Sequence, residues 1–171
     1  MDSIRIFGYK SFKKLSVQLH PINLLIGANG AGKSNFLSLF EMLGNIYEKR
    51  LGAYVAQVGG VDKLLYQGRK VTDRIAVNLL IAKSEYDLAL LESDGKLIVE
   101  REVVGCYDDV CPLDLVRKNV ITEFQSESSL KDHKEEDLSN YISQIRKFHF
   151  HDTGRRSPFT ADSHIVNDAY R

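Results

Sequence analysis

Eight consecutive residues carry most of the chemistry in this chain: Gly27-Ala28-Asn29-Gly30-Ala31-Gly32-Lys33-Ser34 spell the phosphate loop G-x-x-x-x-G-K-[ST]. Glycines at 27, 30 and 32 open backbone angles closed to other residues and let the chain approach a phosphate. Successive N–H groups from Asn29 through Ala31 to Ser34 can then converge on its oxygens. Amides at a helix start are unpaired donors, and the helix dipole adds to their attraction for an anion. In this arrangement Lys33 places its ammonium on the β- and γ-phosphates and the Ser34 hydroxyl ligates Mg²⁺; Asn35, the next residue, is counted with the expected nucleotide contacts although it lies outside the motif. The loop reads phosphates and ignores the base.

A strand before such a loop and a helix after it are the context that confirms the motif. Ile22-Asn23-Leu24-Leu25-Ile26 is an apolar run of buried-strand length, and Phe36, Leu37, Leu39, Phe40, Leu43 and Ile46 carry the spacing of one helix face. Upstream, Ser3 to Phe7 and Leu15 to Leu19 alternate with period two, with a turn expected in Gly8 to Lys14. Downstream, Arg74 to Ala82, Tyr86 to Glu92 and Lys96 to Val104 predict an antiparallel meander, with Ser93-Asp94-Gly95 as a hairpin signal. Gly52 to Gly68 reads as a broken helix and a loop around Gly59-Gly60. Gln125 to Asp137 has the composition of an exposed loop, and Leu138, Tyr141, Ile142 and Ile145 share one face of a short helix. Phe148 to Asp152 predicts a last strand, broken by Thr153 to Pro158.

Composition bounds the alternatives. The chain has 171 residues with 23 basic and 23 acidic side chains, enough for one sizeable core and without a global charge that calls for nucleic acid or an anionic membrane. The longest apolar stretch, Ile75 to Ala82, is too short to span a bilayer, and the N-terminus lacks an apolar leader, so a cytoplasmic protein without membrane association is expected. Cys106 and Cys111 are spaced C-x₄-C, unlike a metal or redox C-x-x-C pair, and read as reduced thiols.

A chain that opens with Ile4-Arg5-Ile6-Phe7-Gly8-Tyr9-Lys10-Ser11-Phe12 and continues through Ile22 to Asn35 resembles an ABC-type ATPase head. More narrowly it resembles the RecF/SMC-like class and, within it, the bacterial predicted ATPases grouped as AAA_21 domains, related to the overcoming-lysogenization-defect nucleases. Gly59-Gly60 with Leu64-Leu65 and Gly68, and Phe150-His151-Asp152-Thr153 ahead of Ser157-Pro158, are similar to patterns of those ATPases. The resemblance implies an α/β P-loop NTPase fold of ABC-ATPase type, in which a phosphate-loop sheet stands beside an antiparallel β meander. It divides the chain into a phosphate-loop lobe (1–50), a connecting segment (51–72), the meander (73–105), a helical and loop segment (106–147), and a strand and tail resembling the approach to the Q-loop (148–171).

Such heads also carry an ABC signature, a Walker B Asp-Glu pair and a switch histidine, none recognisable here. Asp108-Asp109 and Glu135-Glu136 read as solvated surface. The expectation is therefore the N-terminal part of an incomplete head that binds ATP and Mg²⁺. Hydrolysis would await the missing half and a second head, so these residues alone are not expected to turn over ATP. The implied partners are a second copy in a homodimer of heads, with DNA or an effector nuclease beyond it. The alternative is an interaction module in which nucleotide binding alone gates dimerisation.

Several residues stay open between readings. His149 and His151 lie two apart on one face of their expected strand. They could ligate a metal with a third group, or simply face away from a core of aromatics. The resemblance adds a third reading, in which His151 and Asp152 sit near the γ-phosphate or Mg²⁺ like Q-loop residues. Gln144, placed on the preceding helix, does not match the Q-loop glutamine. Lys10, Lys13 and Lys14 form a basic cluster that reads as surface charge or as a contact to nucleotide or DNA. A nucleoside kinase fits less well because two strands precede the loop, and Arg155-Arg156 reads as a solvated turn rather than a kinase lid. A GTPase would need Asn-Lys-x-Asp, which is absent.

Overall fold

A computed structural model describes residues 1–82, 84–106, 117–133 and 136–145. The alternating segments become strands: β1 (Ser3–Tyr9), β2 (Phe12–Gln18), β3 (Arg74–Ile81), β4 (Ser84–Ser93), β5 (Lys96–Cys106) and β6 (Arg117–Gln125). They form one sheet in the order β2-β1-β3-β4-β5-β6, each neighbouring pair antiparallel. The long amphipathic segment is α1 (Lys33–Tyr47), the connecting segment folds as α2 (Leu51–Gln57) with a 3₁₀ turn at Val61–Lys63, and α3 spans Glu136–Ser143.

Period two decides which face is buried. Ile4 and Ile6 of β1, Ile75, Val77, Leu79 and Ile81 of β3, and Tyr86, Leu88 and Leu90 of β4 point into the core, while their alternates lie toward the open face. The helices cover that inner face: α2 packs on β5, α3 on β4, and α1 against both helices. From α1 the stripe Phe36, Leu39, Met42, Leu43 and Ile46 enters the core, at the spacing of one helical face. Asp94 and Gly95 both have left-handed angles, φ 52° and 78°, so the β4–β5 turn follows the twist of the strands it joins.

The end of β1 departs from simple alternation. At Gly8, φ is +72° and an added Cβ would stand 2.1 Å from the Arg74 carbonyl oxygen, so only glycine fits. Lys10 N–H then donates to Leu64 O at 2.7 Å and Tyr66 N–H to Gly8 O at 2.9 Å, which pins residues 64–66 beside the strand end. Lys10-Ser11 alone forms the turn, since Tyr9 pairs with Phe12.

Several expectations fail. The segment Ile22 to Ile26 is not a strand; its side chains at Ile22, Leu24 and Ile26 are 89%, 81% and 84% exposed, and among the described residues no strand pairs with it. Local chemistry competes with pairing here: Asn23 Oδ1 accepts from His20 N–H at 2.9 Å and Asn23 Nδ2 donates to His20 O at 2.6 Å, and Pro21 has no N–H to give. The phosphate-loop sheet expected beside the meander is therefore not formed by the described residues.

The second miss is β6, which falls where a helical and loop segment was expected. Its polar side chains hid a strand that needs only one apolar face and one neighbour, β5. The adjoining stretch is not simply an exposed loop either, because Ser128 and Leu130 are buried. Glu102 of β5 explains it. This wholly buried carboxylate accepts from the Tyr86 hydroxyl at 2.5 Å, the Ser128 hydroxyl at 2.6 Å and Ser129 N–H at 3.0 Å, which draws the loop inward. Leu138 and Ile142 of α3 are buried as expected, but Tyr141 is 43% exposed. Gln144 lies in the turn after that helix.

Candidate nucleotide site

Within the loop the glycines have distinct tasks. Gly30 and Gly32 adopt left-handed angles, φ 84° and 92°, whereas Gly27 does not. A Cβ on Gly30 would touch nothing, so its backbone angle alone asks for glycine. A Cβ on Gly32 would press on Ser11 Oγ at 3.1 Å and on the Phe12 ring at 3.2 Å, and one on Gly27 would crowd Ala31 at 3.3 Å. Gly32 is also the N-cap of α1; no side chain caps that helix start and no acidic residue occupies its first turn. The positive end of the helix dipole is therefore left for an external anion.

Lys33 closes over this loop. Its ammonium donates to Gly27 O at 2.7 Å and to Ala28 O at 2.8 Å, while Ala31 N–H donates to Ala28 O at 3.2 Å. Exchanging two neutral carbonyls for phosphate oxygens would replace ordinary acceptors with charged ones, which bind an ammonium more strongly. Asn29, Gly30, Ala31 and Ser34 are exposed, and Lys33 and Asn35 are half-buried.

The β1–β2 turn holds the start of α1 in place. Asn35 Nδ2 donates to Ser11 Oγ at 2.9 Å. One turn along the helix, Ser38 Oγ donates to Asn35 O at 2.8 Å and accepts from the Lys10 ammonium at 2.8 Å and from the Tyr9 hydroxyl at 2.9 Å. Tyr54 of α2 adds a bond from its hydroxyl to Ser38 O at 3.2 Å. Burial pushes the Tyr9 phenol far above its usual range, only partly offset by its bond to Ser38, and burial raises Tyr54 as well. Both phenols therefore stay protonated donors.

Beside the helix start lies a cleft of about 730 Å³ whose walls include Lys10, Asn35, Lys63, Gln67, Arg69 and Lys70. Asp62 orders its far wall, accepting from Arg69 N–H at 2.9 Å and pairing with the Arg69 guanidinium at 3.3 Å. This cleft, Ser11 and Ser38 were missed in the sequence. The only signal was Lys10-Ser11-Phe12 at a turn, and nothing local ties it to a helix more than twenty residues later.

Of the residues expected to act, 27 and 29–35 lie together on the loop and first helical turn. Lys10 is drawn against Ser38, but Lys13 and Lys14 are exposed on the edge strand β2, so the three lysines do not form one contact. His149, His151, Asp152, Cys111, Asp108-Asp109, Glu135 and Arg155-Arg156 lie outside the described residues, as does the side chain of Cys106. Among the described residues no cluster of His, Cys, Asp and Glu is fit to hold a metal, and no helix is long and apolar enough to cross a membrane.

A family model described as AAA ATPase domain matches residues 1–154, a span that takes in the phosphate loop and every described element. Among curated proteins, no sequence matches the chain.

Proposed function

Because the chain belongs to the AAA ATPase domain family, we propose that its nucleotide is ATP with Mg²⁺, bound at the phosphate loop as part of an ABC-type head of the RecF/SMC-like class. A nucleotide-binding, ATPase-type function goes with the family. The observation that supports phosphate binding is the pairing of Lys33 with two adjacent loop carbonyls above a helix start that lacks both cap and acid, while the ABC-type class rests on the resemblance of residues 4–12 and 22–35. Lys33 would bind the terminal phosphates, the amides of 29–34 would cradle them, and Ser34 would ligate Mg²⁺, the ion supplying charge neutralisation between phosphates. In this reading the open cleft at Lys10, Asn35 and Gln67, which meets the helix start at Asn35, would take the nucleoside.

Uniform binding by these groups does not accelerate hydrolysis, which needs a carboxylate to orient water and a closed site. In this reading both come from a second head and from a Walker B strand that the described residues do not contain. Pairing of two heads, and DNA or an effector nuclease as the object of that pairing, belong to the same proposal.

The test is thermal melting with Mg-ATP. Ligand at about a hundredfold over its Kd adds about 2.7 kcal/mol to the folded state, a readily measured shift. Lys33→Ala removes charge-assisted bonds worth roughly 1.5–3 kcal/mol, so affinity should fall about ten- to a hundredfold. An equal shift in wild type and variant would overturn the assignment.

A further inference from the structure

The β1–β2 turn touches α1 at two levels, and both contacts lie on one face of the helix. Asn35 and Ser38 are three residues apart and thus neighbours on that face; Ser11 holds the first, and Tyr9 with Lys10 hold the second. The core stripe sets the rotation of α1 as a whole, and these two contacts trim the orientation of its first turn. Gly32 adds a third constraint, because the Ser11 hydroxyl and the Phe12 ring fill the space a Cβ would need.

We propose that Ser11 is a positioning residue for the phosphate loop: through Asn35 and Gly32 it trims the orientation of the first turn of α1, and with it the direction of the Ser34 hydroxyl that would ligate the divalent ion. The proposal rests on the Mg-nucleotide reading above. Its physical content is a division of labour. The Tyr9–Ser38 bond is buried and serves folding, whereas the Ser11–Asn35 bond is exposed and adds little to stability. Ser34 immediately precedes Asn35 in the helix, so loosening this turn disturbs a side-chain ligand more than it disturbs the amides of the loop. The signature is therefore a loss of the gain in ATP affinity that Mg²⁺ brings, with the melting temperature of the unliganded chain nearly unchanged.

Calorimetric titration with ATP, with and without MgCl₂, tests this on wild type, Ser11→Ala, Ser11→Thr, Asn35→Ala and the Ser11→Ala/Asn35→Ala double variant. Ser11→Ala should weaken Mg-ATP about three- to tenfold, the worth of one neutral hydrogen bond once the bound nucleotide shields this exposed bond from water, and weaken metal-free ATP less. Ser11→Thr, which keeps the hydroxyl, should restore most of the affinity. The double variant should lose no more than the weaker-binding of the two single variants, the mark of a shared interaction. Wild-type affinity in Ser11→Ala, equal losses with and without Mg²⁺, or additive losses would each overturn the positioning role while leaving Lys33 and the nucleotide reading intact. A folded wild-type chain that binds no ATP would overturn both. Should Ser11→Ala fail to melt cooperatively, Ser11→Gly, which also removes the hydroxyl, takes its place beside Ser11→Thr, and a Mg²⁺-independent loss in Ser11→Gly counts against the role.

Discussion

β3 and the segment 22–26 are built from the same kind of residue, yet the first is buried and the second stands in solvent. Ile75 and Leu79 have no exposed surface, against 89% for Ile22 and 81% for Leu24. The difference lies in their neighbours. β3 has a strand on each side, β1 and β4, and its inner residues belong to the core cluster that the helices share. Segment 22–26 has a local asparagine turn and no described partner strand. A strand is a property of a pair, and apolar composition alone does not make one. The phosphate loop consequently has one end held by the core, where α1 drives in its stripe, and one end held by an asparagine turn and the Lys33 bonds to Gly27 O and Ala28 O.

The end held by the core gives the largest effect. Leu39 of α1 has no exposed surface and sits in the core cluster, so Leu39→Ala should cost about 2–5 kcal/mol of unfolding free energy in a urea titration. A loss below about 1 kcal/mol would mean that α1 is not anchored by its stripe, and the contrast between the two ends of the loop would disappear.

Alkaline pH sharpens the same contrast, since segment 22–26 contains no ionisable side chain. Burial, reinforced by the Glu102 carboxylate, raises the Tyr86 phenol well above the usual tyrosine range. In the unfolded chain it ionises near its ordinary value of about 10. Above that pH the unfolded state has given up a proton that the native state keeps, so stability present below about pH 10 is lost as pH rises further. Tyr9 and Tyr54 shift in the same direction. Tyr86→Phe should flatten this alkaline decline while costing about 1–3 kcal/mol near neutrality, where Glu102 loses a buried donor. Denaturation curves between about pH 8 and 11 check it; an unchanged slope in the variant would show that Tyr86 is not the group responsible.

What was legible in the sequence was whatever a local rule governs. The octapeptide from Gly27 to Ser34 has its meaning in its spacing, α1 in its apolar periodicity, and the β4–β5 hairpin in Asp94-Gly95. Illegible were the features made by residues far apart in the chain. Ser11 meets Asn35, Tyr9 and Lys10 meet Ser38, and Glu102 gathers Tyr86, Ser128 and Ser129; each joins ordinary residues that carry no local sign of a partner. β6 was hidden because an edge strand with a mostly polar sequence looks like a loop until β5 lies beside it. Segment 22–26 failed in the opposite direction, since its pattern promised a strand for which the described residues offer no neighbour.

The smallest effect concerns that segment directly. Leu24 is 81% exposed, so Leu24→Ser removes almost no buried apolar surface, and the unfolding free energy should stay within about 0.5 kcal/mol of wild type. The same type of side chain at Leu39 is worth several times more, and the ratio between the two variants measures the contrast without reference to either absolute stability. A loss above about 2 kcal/mol for Leu24→Ser, of the order found for truncated core side chains, would mean that something covers the segment in solution. Dependence of that loss on protein concentration would then separate the two sources of cover. A loss that grows with concentration identifies a second copy, because association stabilises by mass action, and a loss independent of concentration identifies packing within one chain.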